Sequence, residues 1–219
     1  MVKAQLPSDK ALIGFAGGPW TLATYMIAKH DMDYCRRFAY QNPQTMEDLM
    51  QKLYEQVYYL LCSQIEAGVD AVQLFDSWAY GLPPSLFGSY IQSIHHLLAT
   101  ALKERFPKIK FIAFPRGAGA FYEGFTSSEA IDCIGLDYGL PLPFCAQLQE
   151  HKVIQGNLDP QVLLADKGLI ATHVDAIFEY LDAGRLIFNL GHGIHKETPR
   201  ENVEFLVEYV RTKKSSRTL

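Results

Sequence analysis

Ile13-Gly14-Phe15-Ala16-Gly17-Gly18-Pro19-Trp20-Thr21-Leu22-Ala23-Thr24-Tyr25-Met26 is the stretch that decides how the rest of this 219-residue chain is read. Ala11 to Phe15 is an apolar run and predicts a short buried strand. Gly17 and Gly18 break it and let backbone approach something closely. Pro19 presets the entry to a helix, whose first turn has no use for the N–H that proline lacks. Trp20 to Ile27 continue that helix and carry Tyr25 on its first turns. A strand, a glycine turn and a helix start together make a strand end of the kind at which α/β proteins hold ligands.

The same grammar repeats along the chain. Asp31 to Tyr40 predicts a short helix and Thr45 to Ala67 a long one, with Met46, Leu49, Met50, Leu53, Val57, Leu60, Leu61 and Ile65 at helical spacing and Gly68 as the stop. Strands follow at Ala71–Phe75, Lys110–Phe114, Ile134–Asp137, Val153–Asn157 and Leu186–Asn189. Helices lie between them, from Pro83-Pro84 to about Phe106, at Ala120–Phe125, Pro143–Gln149, Pro160–Leu164 and Lys167–Ala183. Pro199 to Arg211 is the last helix, and 212–219 reads as a basic, frayed tail. The strands are continuous apolar runs, the pattern of parallel strands buried on both faces. No linker or composition shift interrupts them, so the chain reads as a single domain over 1–219. The fold class is α/β: a (β/α)8 TIM-barrel type, of whose eight strand–helix units about six are present here, or an open doubly wound sheet. The doubly wound reading lacks its phosphate loop, because Pro19 removes an N–H that an anion would use.

Composition narrows the function. Apolar residues make up 48% and charged residues 20%, as in ordinary globular chains, and a net charge of −4 with no basic stripe argues against nucleic acid. No apolar run is long enough to span a bilayer, and Met1 to Gln5 is not followed by a signal-peptide core, so a cytoplasmic protein is expected. Cys35, Cys62, Cys133 and Cys145 are scattered and read as reduced, buried thiols rather than metal ligands.

The opening stretch resembles the GF-x-G-x-PWTL-x-x-YM signature of the uroporphyrinogen decarboxylase family. Further segments resemble that family in the same order: Gln73-Leu74-Phe75-Asp76-Ser77, Phe114-Pro115-Arg116-Gly117, Gly135-Leu136-Asp137, Gln155-Gly156-Asn157-Leu158-Asp159-Pro160, and Phe188-Asn189-Leu190-Gly191-His192-Gly193-Ile194 followed by Pro199. Ala28 stands where the family commonly has Glu and reads as a surface or lid difference. The family's arginine-bearing M-RQAGR segment and its F-SD-I aspartate do not occur, so the chain reads as the carboxyl-terminal six units of the barrel, with those residues upstream of Met1.

The resemblance implies cofactor-independent removal of carbon dioxide from the four acetate side chains of uroporphyrinogen. The tetrapyrrole is its own electron sink once a pyrrole carbon is protonated. The protein orients the macrocycle and steadies charge in a dry pocket. It also implies homodimers with facing pockets. On this resemblance Tyr25, Ser77 and His192 contact the substrate, no catalytic residue is assigned within the chain, and neither a metal nor a cofactor is implied. Gly17, Gly18 and Pro19 are expected to make room for the macrocycle, and Gly191 and Gly193 to open the backbone around His192.

Plainer readings stand beside these. Tyr25 suits a helix tyrosine capping the barrel mouth, and Ser77 an N-cap or turn serine. His192 with His195 forms half a metal site at most. Asp76, Asp137 and Asp159 end strands and are candidates for acid–base work, Asp159 more readily as a turn residue before Pro160. Arg116 suits a substrate carboxylate or a pairing with Asp76 or Asp137. His95-His96 is expected on a surface face of its helix. Alternatives to the decarboxylase are a cobalamin-linked methyltransferase of the same barrel superfamily, which lacks support because Gly193-Ile194 follows His192 and no cysteine follows Cys145, and a non-catalytic remnant or scaffold. Open edges at Ile13–Phe15 and Leu186–Asn189 are expected to promote self-association, and the chain alone to show negligible turnover.

Overall fold

The computed structural model describes residues 2–28 and 31–215. They form two compact units, 1–133 and 134–219 within these limits, and each is taken in turn. The first opens with a short helix that the sequence did not announce, α1 (Val2–Gln5), followed by β1 (Ile13–Gly17), α2 (Pro19–Ala28), α3 (Met32–Gln41) and α4 (Pro43–Glu66). Next come β2 (Ala71–Asp76), α5 (Pro84–Phe87), α6 (Ser93–Arg105), β3 (Lys110–Pro115) and a 3₁₀ segment at Gly119–Phe125. β1, β2 and β3 lie side by side and parallel, with Ala16 opposite Leu74 and Gln73 opposite Ile112.

The helices sit where their sequences put them. Asp31 caps α3 by accepting from the Tyr34 N–H at 3.0 Å. Pro43 opens α4, which buries Met46, Met50, Leu53, Val57 and Leu61 along one stripe. Gly68, at φ 96°, ends it. Gln64 on α4 then donates to the Phe15 carbonyl at 2.9 Å, tying the long helix to β1.

Two expectations need correction here. β1 is not buried on both faces: Phe15 is 62% and Ile13 39% exposed, while Gly14 and Ala16 are buried between them. Its burial therefore alternates with the pleat. Ala28 is buried at the end of α2 and is not a surface difference.

The connection out of β3 is held by one carboxylate. Asp132 pairs with Lys103 at 2.8 Å and Lys110 at 3.1 Å and accepts from the Phe111 N–H at 2.9 Å. Burial alone would raise its pKa, but these partners outweigh it and hold the carboxyl below its ordinary value. The folded chain therefore binds this proton less readily than the unfolded one. The stabilisation is present above about pH 4 and disappears as pH falls through the lowered folded value. Asp132→Asn is expected to cost about 1 kcal/mol at pH 7 and to flatten the acid limb of an unfolding-versus-pH curve; an unchanged acid limb would contradict this.

The second unit carries β4 (Cys133–Gly135, which begins at the unit boundary), α7 (Leu142–Gln149), β5 (Val153–Leu158), α8 (Lys167–Tyr180), β6 (Leu186–Leu190) and α9 (Arg200–Ser215). β5 and β6 are parallel, with Ile154 opposite Leu186 and Asn157 opposite Asn189. Asp166 caps α8 through the Leu169 N–H at 2.9 Å. Asn202 on α9 donates to the Leu163 and Ala165 carbonyls, both at 2.9 Å. β6 alternates in burial as β1 does, again against the expectation of two buried faces. α9 runs beyond its expected end at Arg211, and the remainder of the expected tail, 216–219, lies outside the described residues. All four cysteines are free and buried, and burial pushes the Cys133 and Cys145 thiols up to about 12, which keeps them protonated and unreactive.

Candidate functional site

The carboxyl end of β2 meets the amino end of α2. Gly18 donates its N–H to the Phe75 carbonyl at 2.8 Å, extending the β1–β2 pairing into the glycine turn. α2 starts at Pro19 with no capping side chain of its own, because the preceding residue is a glycine. Asp76 supplies the cap from the neighbouring strand. Its Oδ1 accepts from the Thr21 N–H at 3.2 Å and from the Thr21 hydroxyl at 2.9 Å. A buried carboxylate at a helix amino end is stabilised by the exposed N–H groups and the aligned peptide dipoles.

This geometry explains Gly18. A Cβ there would sit 2.1 Å from Asp76 Oδ2 and 2.3 Å from Oδ1. The close approach that this glycine permits is to Asp76 of the same chain. Asp76 is 0% exposed, which removes it from the candidates for acid–base work on a substrate.

Beyond Asp76 the chain turns through Ser77 and Trp78. The Trp78 N–H donates to Thr21 Oγ1 at 3.3 Å, and its carbonyl accepts from Trp20 Nε1 at 3.1 Å. Trp20 is fully buried and stacked on Tyr90 at 5.7 Å. The turn is thus fixed from α2 by two side chains. Ser77 is half-buried in it. Tyr25, 43% exposed, rests edge-on against Trp78 with ring centroids 6.2 Å apart. The first unit therefore brings Tyr25 and the Ser77–Trp78 turn together on one strand end. Nearby, the Arg116 backbone N–H donates to the Asp76 carbonyl at 3.1 Å, and its guanidinium lies over the Tyr80 ring at 5.7 Å.

The sequence reading missed His95. It was expected on a surface, but it is 0% exposed, with Nε2 2.9 Å from Asp76 Oδ2. The missed signal is periodic: Ile91, His95, Leu98 and Leu102 stand at one helical stripe, and all are buried.

In the second unit His192 follows β6 and is exposed. Gly191 donates to the Leu158 carbonyl at 2.7 Å, and a Cβ on it would come within 2.3 Å of the Tyr138 backbone nitrogen. Gly191 is thus required by backbone packing, whereas a Cβ on Gly193 would meet nothing within 4 Å, so packing does not demand that second glycine. The Gln155–Pro160 segment is likewise internal. Asn157 donates to the Asp137 and Leu140 carbonyls at 3.3 and 3.4 Å. Asp159 caps the following turn through the Gln161 N–H at 2.9 Å, the plainer of its two readings. Asp137 accepts from the Gly139 N–H at 2.8 Å.

The family model described as uroporphyrinogen decarboxylase (URO-D) matches residues 1–213. The chain belongs to the uroporphyrinogen decarboxylase family. It is 41% identical over 218 residues to the curated uroporphyrinogen decarboxylases of Brucella ovis and Brucella canis, covering 98% of this chain and 64% of each relative. It thus spans somewhat under two thirds of those family members' length. Among solved structures, a methyltransferase from Methanosarcina mazei superposes with a TM-score of 0.78 at 16% identity, over 96% of this chain and 61% of that one. A B12-independent methionine synthase from Shewanella sp. W3-18-1 superposes with a TM-score of 0.67 at 10% identity, over 99% of this chain and 64% of that one. At such identities the likeness is one of fold: strands alternating with helices as in part of a (β/α)8 barrel. No helix among the described residues is long and apolar enough to cross a membrane.

Proposed function

We propose that this chain acts in the cofactor-independent decarboxylation of the four acetate side chains of uroporphyrinogen III, giving coproporphyrinogen III and carbon dioxide in porphyrin and heme biosynthesis. The observation that carries this is the 41% identity to named uroporphyrinogen decarboxylases across 98% of the chain. In each turnover a proton adds to a pyrrole carbon, the acetate's C–C bond breaks, carbon dioxide leaves, and the electron pair enters the cationic ring to leave an exocyclic methylene; a proton then adds to that methylene carbon to give the methyl group, and the ring carbon's proton departs to restore the pyrrole. The chemistry resides in the substrate, so the protein's part is to bind, orient and exclude water.

The residues assigned to that part are Tyr25 and Ser77 on the first unit's strand end and His192 on the second unit. Hydroxyl groups and an imidazole suit hydrogen bonding to the substrate's carboxylates. The site is read as taking a tetrapyrrole, with no metal or cofactor, in a cytoplasmic protein that pairs as a homodimer. The fold likeness to methyltransferases does not favour the methyltransferase alternative, since it carries no site residue across.

The test joins this chain to the amino-terminal third of the Brucella ovis relative. Uroporphyrinogen III is supplied anaerobically, and the porphyrins are separated after oxidation. Conversion to coproporphyrin is expected, with Ser77→Ala and His192→Ala each lowering kcat/KM by roughly 10- to 100-fold, the worth of a charge-assisted hydrogen bond. Conversion unaffected by both substitutions would refute the site assignment.

A further inference from the structure

We infer that His95 is a positioning residue, which holds the Ser77–Trp78 turn in its ligand-facing form through a relay of hydrogen bonds inside the first unit. The relay runs His95 Nε2 to Asp76 Oδ2 at 2.9 Å, Thr21 Oγ1 to Asp76 Oδ1 at 2.9 Å, and Trp78 N to Thr21 Oγ1 at 3.3 Å. The Thr21 hydroxyl has one hydrogen. Spending it on Asp76 leaves a lone pair aimed at the Trp78 N–H, so the carboxylate decides which way the hydroxyl points. His95 fixes the other carboxylate oxygen. With both oxygens held, neither the carboxylate nor the turn can rotate without breaking bonds in a dry interior.

The surroundings of His95 determine its form. The ring stands edge-on to Phe125 and Phe111, with centroids 5.5 and 6.4 Å away. Nδ1 meets no hydrogen-bond partner among the described residues. A proton on Nδ1 would be an unmatched buried donor, whereas a proton on Nε2 points at an acceptor. The geometry thus places the proton on Nε2, which donates to Asp76 Oδ2.

The backbone places this residue by an irregular step. Gly88–Gln92, between α5 and α6, is a π turn. One extra residue in a turn rotates everything after it by about 100° relative to an unbroken α-helix. His95 lies just after this π turn, on the first turn of α6, with Nε2 against Asp76. Such insertions are frequent where a helix must present one side chain to a site.

The consequence for ligand binding rests on the proposed tetrapyrrole site, and the test separates the two. Hydrogen exchange of the Trp78 amide reads the relay without any ligand, and titration with uroporphyrinogen III under reducing conditions reads binding. In His95→Leu the Trp78 amide is expected to exchange about tenfold faster, with amides in the middle of β3 unchanged, and affinity to fall about tenfold. His95→Gln, whose amide nitrogen can replace Nε2 as donor, is expected to restore both to within about threefold. The wild-type ring nitrogens, observed by ¹⁵N NMR, are expected to show a protonated Nε2 and an unprotonated Nδ1. The inference is overturned by the opposite tautomer, by unchanged Trp78 exchange in His95→Leu, by loss in His95→Gln as large as in His95→Leu, or by faster exchange spread evenly over β3. If the wild-type chain does not bind uroporphyrinogen, the tetrapyrrole reading fails, while the exchange and tautomer measurements still decide the relay.

Discussion

Gly18→Ala is expected to lower stability by about 3–5 kcal/mol, more than an exposed turn glycine would ever cost. The added methyl carbon would lie 2.1 Å from Asp76 Oδ2 and 2.2 Å from its Cγ, so the carboxylate has to leave. Leaving breaks its bonds to the Thr21 N–H, the Thr21 hydroxyl and His95, all inside a dry interior. The measurement is a urea unfolding series on a double-mutant cycle with Asp76→Ala. If the clash with the carboxylate is the cause, Gly18→Ala costs less than about 1 kcal/mol once Asp76 is already alanine. An equal cost in both backgrounds would mean that Gly18 is needed for its backbone alone.

Trp20→Ala should be comparably severe, at about 3–5 kcal/mol, through the cavity left by a fully buried ring and the loss of its stacking on Tyr90. The indole also holds the Trp78 carbonyl at 3.1 Å. Trp20→Phe therefore separates the two contributions. It retains most of the apolar burial but leaves the carbonyl without that donor, at a cost of about 1–2 kcal/mol. Thermal unfolding of the pair checks this, together with Trp78 amide exchange, which should rise in both variants. A Trp20→Phe variant as stable as wild type, with normal exchange at Trp78, would remove the indole from the account of the turn.

These two positions also show how far the sequence carried. The strand–helix order was legible because buried parallel strands are continuous apolar runs and helices repeat every three to four residues, as at Met46, Met50, Leu53 and Val57. The opening stretch was read as strand, glycine turn and helix start in the right order, but the strand runs on through Gly17 and only Gly18 lies between it and the helix. What the glycine approaches was not legible, since Asp76 lies 58 positions beyond Gly18 and only the parallel pairing of β1 with β2 brings it there. The burial of His95 was legible from its stripe with Ile91, Leu98 and Leu102, but its partner Asp76, distant in sequence, was not. The alternating exposure of β1 was hidden because Ile13 and Phe15 are as apolar as residues that face a core. Gly191 and Asn157 carry family signatures yet serve backbone packing, so a motif alone does not separate a ligand-facing residue from one that shapes the strand end behind it.

The central claim is that this strand end, held by Asp76, presents Tyr25 and Ser77 to a tetrapyrrole. Its most direct test is an anaerobic titration of the otherwise unaltered chain with uroporphyrinogen III, read by tryptophan fluorescence, Trp78 being the tryptophan that rests against Tyr25. The account predicts saturable quenching, weakened about tenfold by Ser77→Ala and by Tyr25→Phe. The absence of any saturable change, or a change indifferent to both substitutions, would contradict it.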